Sequence, residues 1–180
     1  EESVGIPMLL SGENVMAKSV VKTPVSLIDV FPTILDCFNL DIVADIPGRS
    51  LFEVANESDN EKRLVLSEYH GAGSISGAFM LRDGMYKYIH YVDCEPELYN
   101  LKDDPEENNN LAKKNDYQKI LNYYQDQLHS MVDPKTVNSE ALADQSDLII
   151  RNGGINKILD RGGLNGTPVP GGGSTRVGLN

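Results

Sequence analysis

The chain has 180 residues, about one domain's worth at ~100–200 residues per domain, and 40% hydrophobic against 24% charged residues lets it bury a core. Sixteen Lys and Arg against 27 Asp and Glu give a formal charge of -11. That balance argues against nucleic acid and anionic membrane as partners, since both need basic surface to displace counterions. Apolar runs such as Ile6–Leu10 are strand-length, far from the ~18 residues of a spanning helix, so no transmembrane helix is expected.

Ile6–Leu10 reads as a short, fully buried strand ending at Ser11-Gly12. From Leu27 the apolar residues Leu27, Ile28, Phe31, Ile34, Leu35 and Phe38 share one helical face. Thr23 or Ser26 is placed to cap that helix, and Pro32 to kink or divide it. Asp45–Ser50 closes the unit, and Asn56–Lys62 is a polar surface loop. The period then changes. Leu64-Val65-Leu66 leads through Ser67-Glu68-Tyr69-His70 into a small-residue loop, Gly71–Gly77. Ala78–Arg82 and the β-forming run Met85–Val92 flank Asp83-Gly84, a strong hairpin signal, and Glu97–Leu101 adds a further strand. Short turns between them predict an antiparallel sheet.

Asp104 at N-cap, Pro105 at N1 and Glu107 at N3 predict a helix start with a capping box. Ile120, Leu121, Tyr124 and Leu128 continue an apolar helical stripe. A last helical segment around Glu140–Leu159 is broken at Asn152-Gly153-Gly154, and the Gly- and Pro-rich tail beyond Arg161 forms no regular element.

Taken in order, these segments resemble the C-terminal portion of a type I sulfatase, in the alkaline-phosphatase-like superfamily, over most of the chain. Val25–Asp36 is similar to the family's "VSLVDLFPTLLD" helix, and Pro47-Gly48-Arg49-Ser50-Leu51 to its usual successor. Glu97–Glu107 with Asn110-Leu111-Ala112 resembles its "ELYDLxxDPxExxNLA" signature, and the opening Glu1–Gly12 the acidic pair before a Val/Ile-Pro strand. Within the family, Ser67–Ser74 looks most like choline-sulfatase and related alkyl or aryl sulfatases. The resemblance implies an α/β protein, α+β in this portion: residues 1–62 end the catalytic α/β domain, 63–135 form a small antiparallel sheet packed on a long helix, and 136–180 are a helical segment and tail.

Sulfatases of this type attack sulfur with a formylglycine hydrate made from a C/S-x-P-S/A-R motif, beside a calcium ion. Neither Cys37-Phe38-Asn39 nor Cys94-Glu95-Pro96 completes that motif, for want of the Arg. The family's calcium ligands lie near the N-terminus and just upstream of the present Glu1. No catalytic residue, metal ligand or cofactor is therefore expected here, with calcium and formylglycine belonging to the parent enzyme. Glu1-Glu2-Ser3-Val4 lacks a signal region, so the chain is expected to start in mid-protein or after processing. Its compartment, cytoplasmic or periplasmic, is not readable. The implied partners are the rest of the catalytic domain and a sulfate ester, with neither nucleic acid nor membrane, and self-association where apolar faces stay uncovered.

Glu68 and His70 are the candidate substrate-binding pair. Two residues apart in a strand, they point to one face, beside a loop of small residues. Glu68 suits a cationic head group and His70 a leaving-group oxygen; the plainer alternative is a strand-end pair satisfied by backbone and water. His90 reads as a half-buried strand histidine, and His129 as a surface residue. Asp103, Asp104, Glu106 and Glu107 lack EF-hand spacing and are explained by the capping box. The rival readings are a phosphodiesterase or phosphonate hydrolase on the same scaffold, and a non-catalytic interaction module.

Overall fold

The helix read from Leu27–Phe38 forms in two pieces, a 3-10 turn over Leu27–Asp29 and α1 over Val30–Cys37. Ser26 precedes the turn, its N–H donating to Asp29 Oδ2 at 2.8 Å, whereas Thr23 accepts from Asn60 N–H at 2.8 Å. Pro32 sits in the first turn of α1, where a missing N–H is tolerated, so the division falls before it. The computed structural model describes residues 4–12, 15, 19–41, 45–71 and 74–160. The acidic pair Glu1-Glu2 and the tail from residue 161, with all its glycines and prolines, lie outside the described residues. The chain divides into two units, Glu1–Pro134 and Lys135–Asn180.

In the first unit, α1 turns its polar side inward. Asp29, Pro32 and Thr33 are buried, while Leu27, Phe31 and Phe38 are 64%, 52% and 70% exposed. The apolar face stays uncovered, as expected of a piece whose covering elements lie elsewhere, and polar contacts to the following loop hold the other side. Thr33 Oγ1 donates to Asp29 O at 2.6 Å and accepts from Leu51 N–H at 2.8 Å. Ser50 caps α2 (Leu51–Asn56) by accepting from Phe52 N–H at 3.3 Å, and donates to Asp36 Oδ2 at 2.5 Å. Gly48 lies so close to the 3-10 turn that a Cβ there would sit 2.2 Å from the Ile28 carbonyl oxygen.

Ile6–Leu10 is not a strand: it carries no ladder, and Ile6 and Leu9 are 54% and 92% exposed. A strand buried on both faces exists only between neighbouring strands and covering helices. The described sheet of this chain begins at residue 65 and pairs consecutive strands only, and Ile6–Leu10 joins neither of its edges.

That sheet has the order β1-β2-β3-β4, with β1 Val65–Tyr69, β2 Ala78–Arg82, β3 Tyr86–Tyr91 and β4 Glu97–Asn100, all antiparallel. Alternation sends Leu66, Phe79, Leu81, Tyr88 and Leu98 to one face. Helix α3 (Gln118–Met131) covers it with Leu121, Tyr124 and Leu128, and Tyr124 packs 6.3 Å from Tyr88 and 6.1 Å from Tyr86. Phe79, Leu81, Leu98 and Leu128 are fully buried, each contributing about 1.5–3 kcal/mol relative to exposure. On the other face Lys87 is buried, with Nζ 2.8 and 2.9 Å from the Glu107 carboxylate.

The β2–β3 hairpin forms as Asp83-Gly84 predicts, but by another device. Asp83 Oδ1 accepts from Met85 and Tyr86 N–H, both at 2.7 Å, and its Oδ2 accepts from Tyr124 Oη at 2.6 Å. Gly84 is needed for close approach: its N–H donates to Glu61 O at 2.7 Å, and a Cβ would meet Glu61 Cβ at 2.8 Å.

The helix expected from Asp104 does not form. Residues 105–114 are turns and extended chain, and Glu107 takes φ 55. Asp104 instead accepts from Asn108 and Asn109 N–H at 3.1 and 2.8 Å. Asn110 Oδ1 accepts from Leu98 N–H, and Leu111 N–H donates to Leu98 O, so this stretch runs along β4. The ion pair with Lys87 and the free edge of β4 outcompete a weak Asn-rich helix start.

Helix α4 (Pro134–Arg151), all but its first residue in the second unit, starts earlier than the expected Glu140 and ends at the predicted break, where Gly153 and Gly154 have φ 89 and 90; α5 is Ile155–Asp160. No helix among the described residues is long and apolar enough to cross a membrane.

Candidate functional site

Glu68 lies in the edge strand β1 and His70 one residue past its end. As the two-residue spacing predicts, their side chains come together, with Glu68 Oε2 and His70 Nε2 3.4 Å apart. The distance is long for a hydrogen bond, so the contact is mainly electrostatic and depends on imidazole protonation. Glu68 is exposed and His70 four-fifths covered. The cover is Phe79, paired with Glu68 in register, whose ring meets the His70 edge at a centroid distance of 5.3 Å and 78°. Phe79 thus fixes the imidazole while leaving the carboxylate in water. The loop after the pair is described only at residues 71 and 74–77.

Sequence reasoning did not connect this pair with the chain's other two histidines. His90 faces Phe79 from the next strand, and His129 on α3 stacks edge-on against His90 at 5.8 Å. His70, Phe79, His90 and His129 therefore form a row across the helix-covered face. His90 is half-buried and lies 3.3 Å from Tyr88 Oη; burial pushes the Tyr88 phenol up to about 12. His129 is exposed, its Nδ1–H donating to Gln125 O at 2.8 Å. The cross-strand register was the missing signal, because period 2 gives the face but not the neighbour.

Elsewhere the polar chemistry is structural. Asp29, fully buried, receives Arg63 Nη2–H on Oδ1 at 2.7 Å and Nη1–H on Oδ2 at 2.9 Å, with Arg49 N–H on Oδ1 at 2.8 Å. Burial alone would raise its pKa, but the Arg63 guanidinium and the Arg49 and Ser26 N–H groups outweigh it and hold the carboxyl below its ordinary range. The cleft of about 540 Å³ in this unit is walled by aliphatic side chains, among them Met8, Leu10, Val21 and Val54, together with Ser11, Ser19 and Thr23. Among the described residues its lining includes no ionisable side chain and neither Glu68 nor His70. Among the described residues no cluster of three or more His, Cys, Asp or Glu is placed to hold a metal ion. Cys37 and Cys94 are both exposed free thiols.

Residues 1–134 match the family described as N-sulphoglucosamine sulphohydrolase, C-terminal. Arylsulfatase K of Mus musculus is 37% identical over 123 residues, 62% of this chain and 22% of its own length. Arylsulfatase K of Homo sapiens is 32% identical over 150 residues, 77% of this chain and 28% of its own. The chain thus spans between 22% and 28% of the length of these curated relatives. Among solved structures, a putative sulfatase from Bacteroides thetaiotaomicron superposes with a TM-score of 0.51 at 30% identity, over 66% of this chain and 25% of that one. A 2-O GAG sulfatase gives 0.50 at 30% identity, over 66% and 26%.

Proposed function

The chain belongs to the sulfatase family whose members share the C-terminal portion of N-sulphoglucosamine sulphohydrolase, and from that premise we propose that it completes a larger sulfuric ester hydrolase. Residues 1–62 close the α/β catalytic domain, 63–135 form the sheet-and-helix subdomain that walls the substrate pocket, and 136–180 are an appended segment. The observation that carries this reading is α1. Its polar side is satisfied within the chain, while Leu27, Phe31, Ile34 and Phe38 are all about half exposed or more. A contiguous apolar face of this kind marks an interaction surface, and its occupant here is the remainder of the catalytic domain.

The formylglycine nucleophile and the calcium ion of such an enzyme would be supplied by residues outside this chain; the ion would polarise the sulfate group. This chain's own residues bind and orient. Glu68 offers an exposed carboxylate to a cationic head group, and His70, held against Phe79, offers a hydrogen bond to the ester's leaving-group oxygen. This favours a small cationic sulfate ester of the choline type.

The purified 180-residue chain is expected to hydrolyse no aryl sulfate, and the longer protein carrying the C/S-x-P-S/A-R motif to hydrolyse it; turnover by the chain alone, free of contaminants, overturns the assignment. In that longer protein Glu68→Gln should lower kcat/KM for a cationic ester by about 10- to 150-fold, as expected for one charge-assisted contact, and for a neutral aryl sulfate far less. Equal losses on both would return the pair to a structural role.

A further inference from the structure

The break that ends α4 is a self-reactive dipeptide, Asn152-Gly153, exposed to water. Glycine has no side chain to shield its backbone nitrogen, so that nitrogen can attack Cγ of the preceding asparagine, a reaction that makes such asparagines thermolabile. The attack closes a five-membered succinimide. The C–Nδ2 bond of Asn152 breaks, and Nδ2 leaves as ammonia with the Gly153 amide proton. Water then opens the ring at either carbonyl, giving aspartate or isoaspartate, the latter with Cβ in the main chain. Water is the one co-reactant.

The end of α4 occupies both reacting groups. Gly153 N–H donates to Ile150 O and Gly154 N–H to Ile149 O, each at 2.9 Å, the paired bonds of a Schellman ending, with Gly153 left-handed at φ 89. Asn152 Nδ2–H donates to Leu148 O at 2.8 Å, a carbonyl that also accepts from Asn152 N–H at 3.1 Å. Lys157 of α5 lies against Gly153, where an added Cβ would sit 2.6 Å from its Cδ. Cyclisation must break the Gly153 bond and swing the Asn152 amide off Leu148. Helix ends open and close far faster than deamidation proceeds, so the rate follows the open fraction. We propose that Asn152-Gly153 is a spontaneous deamidation site gated by the ending of α4, and that its conversion weakens the α4–α5 junction irreversibly. The product places a negative charge at the negative end of the helix dipole and no longer donates to Leu148 O. Isoaspartate also lengthens the backbone within the turn that the paired bonds close.

Peptide mapping by mass spectrometry on the full 180-residue chain at mildly alkaline pH tests this, resolving Asn152 from the second such dipeptide, Asn165-Gly166. In the native chain Asn152 should deamidate at least about 10-fold more slowly than in guanidinium chloride. That factor should match, within about 3-fold, the protection of the Gly153 amide against hydrogen exchange, because one opening governs both. Gly154→Pro removes the N–H that reaches Ile149 and cannot take φ 90. With circular dichroism confirming α4, its native rate should rise to within about 3-fold of its own denatured rate. Asn152→Asp, which makes the product directly, should speed exchange at the Gly153 and Gly154 amides by about 5- to 10-fold. Equal native and denatured rates in the wild type, full protection retained in Gly154→Pro, or unchanged exchange in Asn152→Asp would each overturn the proposal.

Discussion

Replacing Arg63 by Ala should be among the most damaging single changes available in the first unit. The guanidinium is 15% exposed and forks onto both oxygens of Asp29, which has no exposure at all, while its Nη1 also donates to Pro24 O at 2.9 Å. Truncation leaves Asp29 charged in a dry site with only the Ser26 and Arg49 N–H groups. Breaking one side of a buried pair costs about 3–5 kcal/mol, or roughly 12–20 °C in Tm for a unit of this size. The pH dependence supplies a signature. Asp29 has a lowered folded pKa, so its stabilising contribution is present above the ordinary carboxylate value of 3.8 and is lost as pH falls through the lower folded value. In Arg63→Ala only the Ser26 and Arg49 N–H groups oppose burial, so that pKa rises and acidification from pH 7 relieves the variant's penalty before it touches the wild type. Urea unfolding followed by circular dichroism at pH 7 and pH 4 should therefore show a gap that narrows on acidification. A loss under about 1 kcal/mol at pH 7, or a gap independent of pH, would refute the assignment of Asp29 as an ionised, Arg-compensated carboxylate.

Tyr124→Phe removes a 2.6 Å hydrogen bond to the Asp83 carboxyl group from a residue only 2% exposed, and should cost about 1.5–3 kcal/mol in the same urea assay. A neutral outcome would mean that the α3–hairpin junction is held by packing alone. Gly48→Ala drives a Cβ to 2.2 Å from a backbone oxygen that no rotamer change can relieve, so the loop must move; a loss of about 1–3 kcal/mol is expected by thermal melting, and an unchanged Tm would show that the Pro47–Ser50 loop is not held against the 3-10 turn.

The hairpins were legible because β-forming runs and Asp83-Gly84 carry local information, and the Glu68–His70 meeting was legible because period 2 is local too. Ile6–Leu10 was misread because a doubly buried strand is specified by its neighbours, which the described chain does not supply. The capping box at Asp104 is a genuine local signal, yet Glu107 is drawn away by Lys87, twenty residues earlier, into a left-handed backbone conformation that the sequence does not announce. The pattern of α1 gave the apolar stripe, and its exposure is what a piece lacking its covering elements should show; the buried polar side is what the pattern did not reveal. Asp29, flanked by Ile28 and Val30, looks like a solvent-facing acid until Arg63 and Arg49 are placed beside it. Phe79 as the support of His70 required the β1–β2 register, which depends on the length of the intervening loop.

Amide hydrogen exchange over residues 27–38 measures the central claim, that the outward face of α1 is a seat for the rest of a sulfatase. In the 180-residue chain these amides should exchange quickly, because one face of a short helix is bare. In the longer protein they should be protected by at least about 100-fold, the effect of ~2.7 kcal/mol of added local stability. Equal exchange rates in the two proteins would contradict the account.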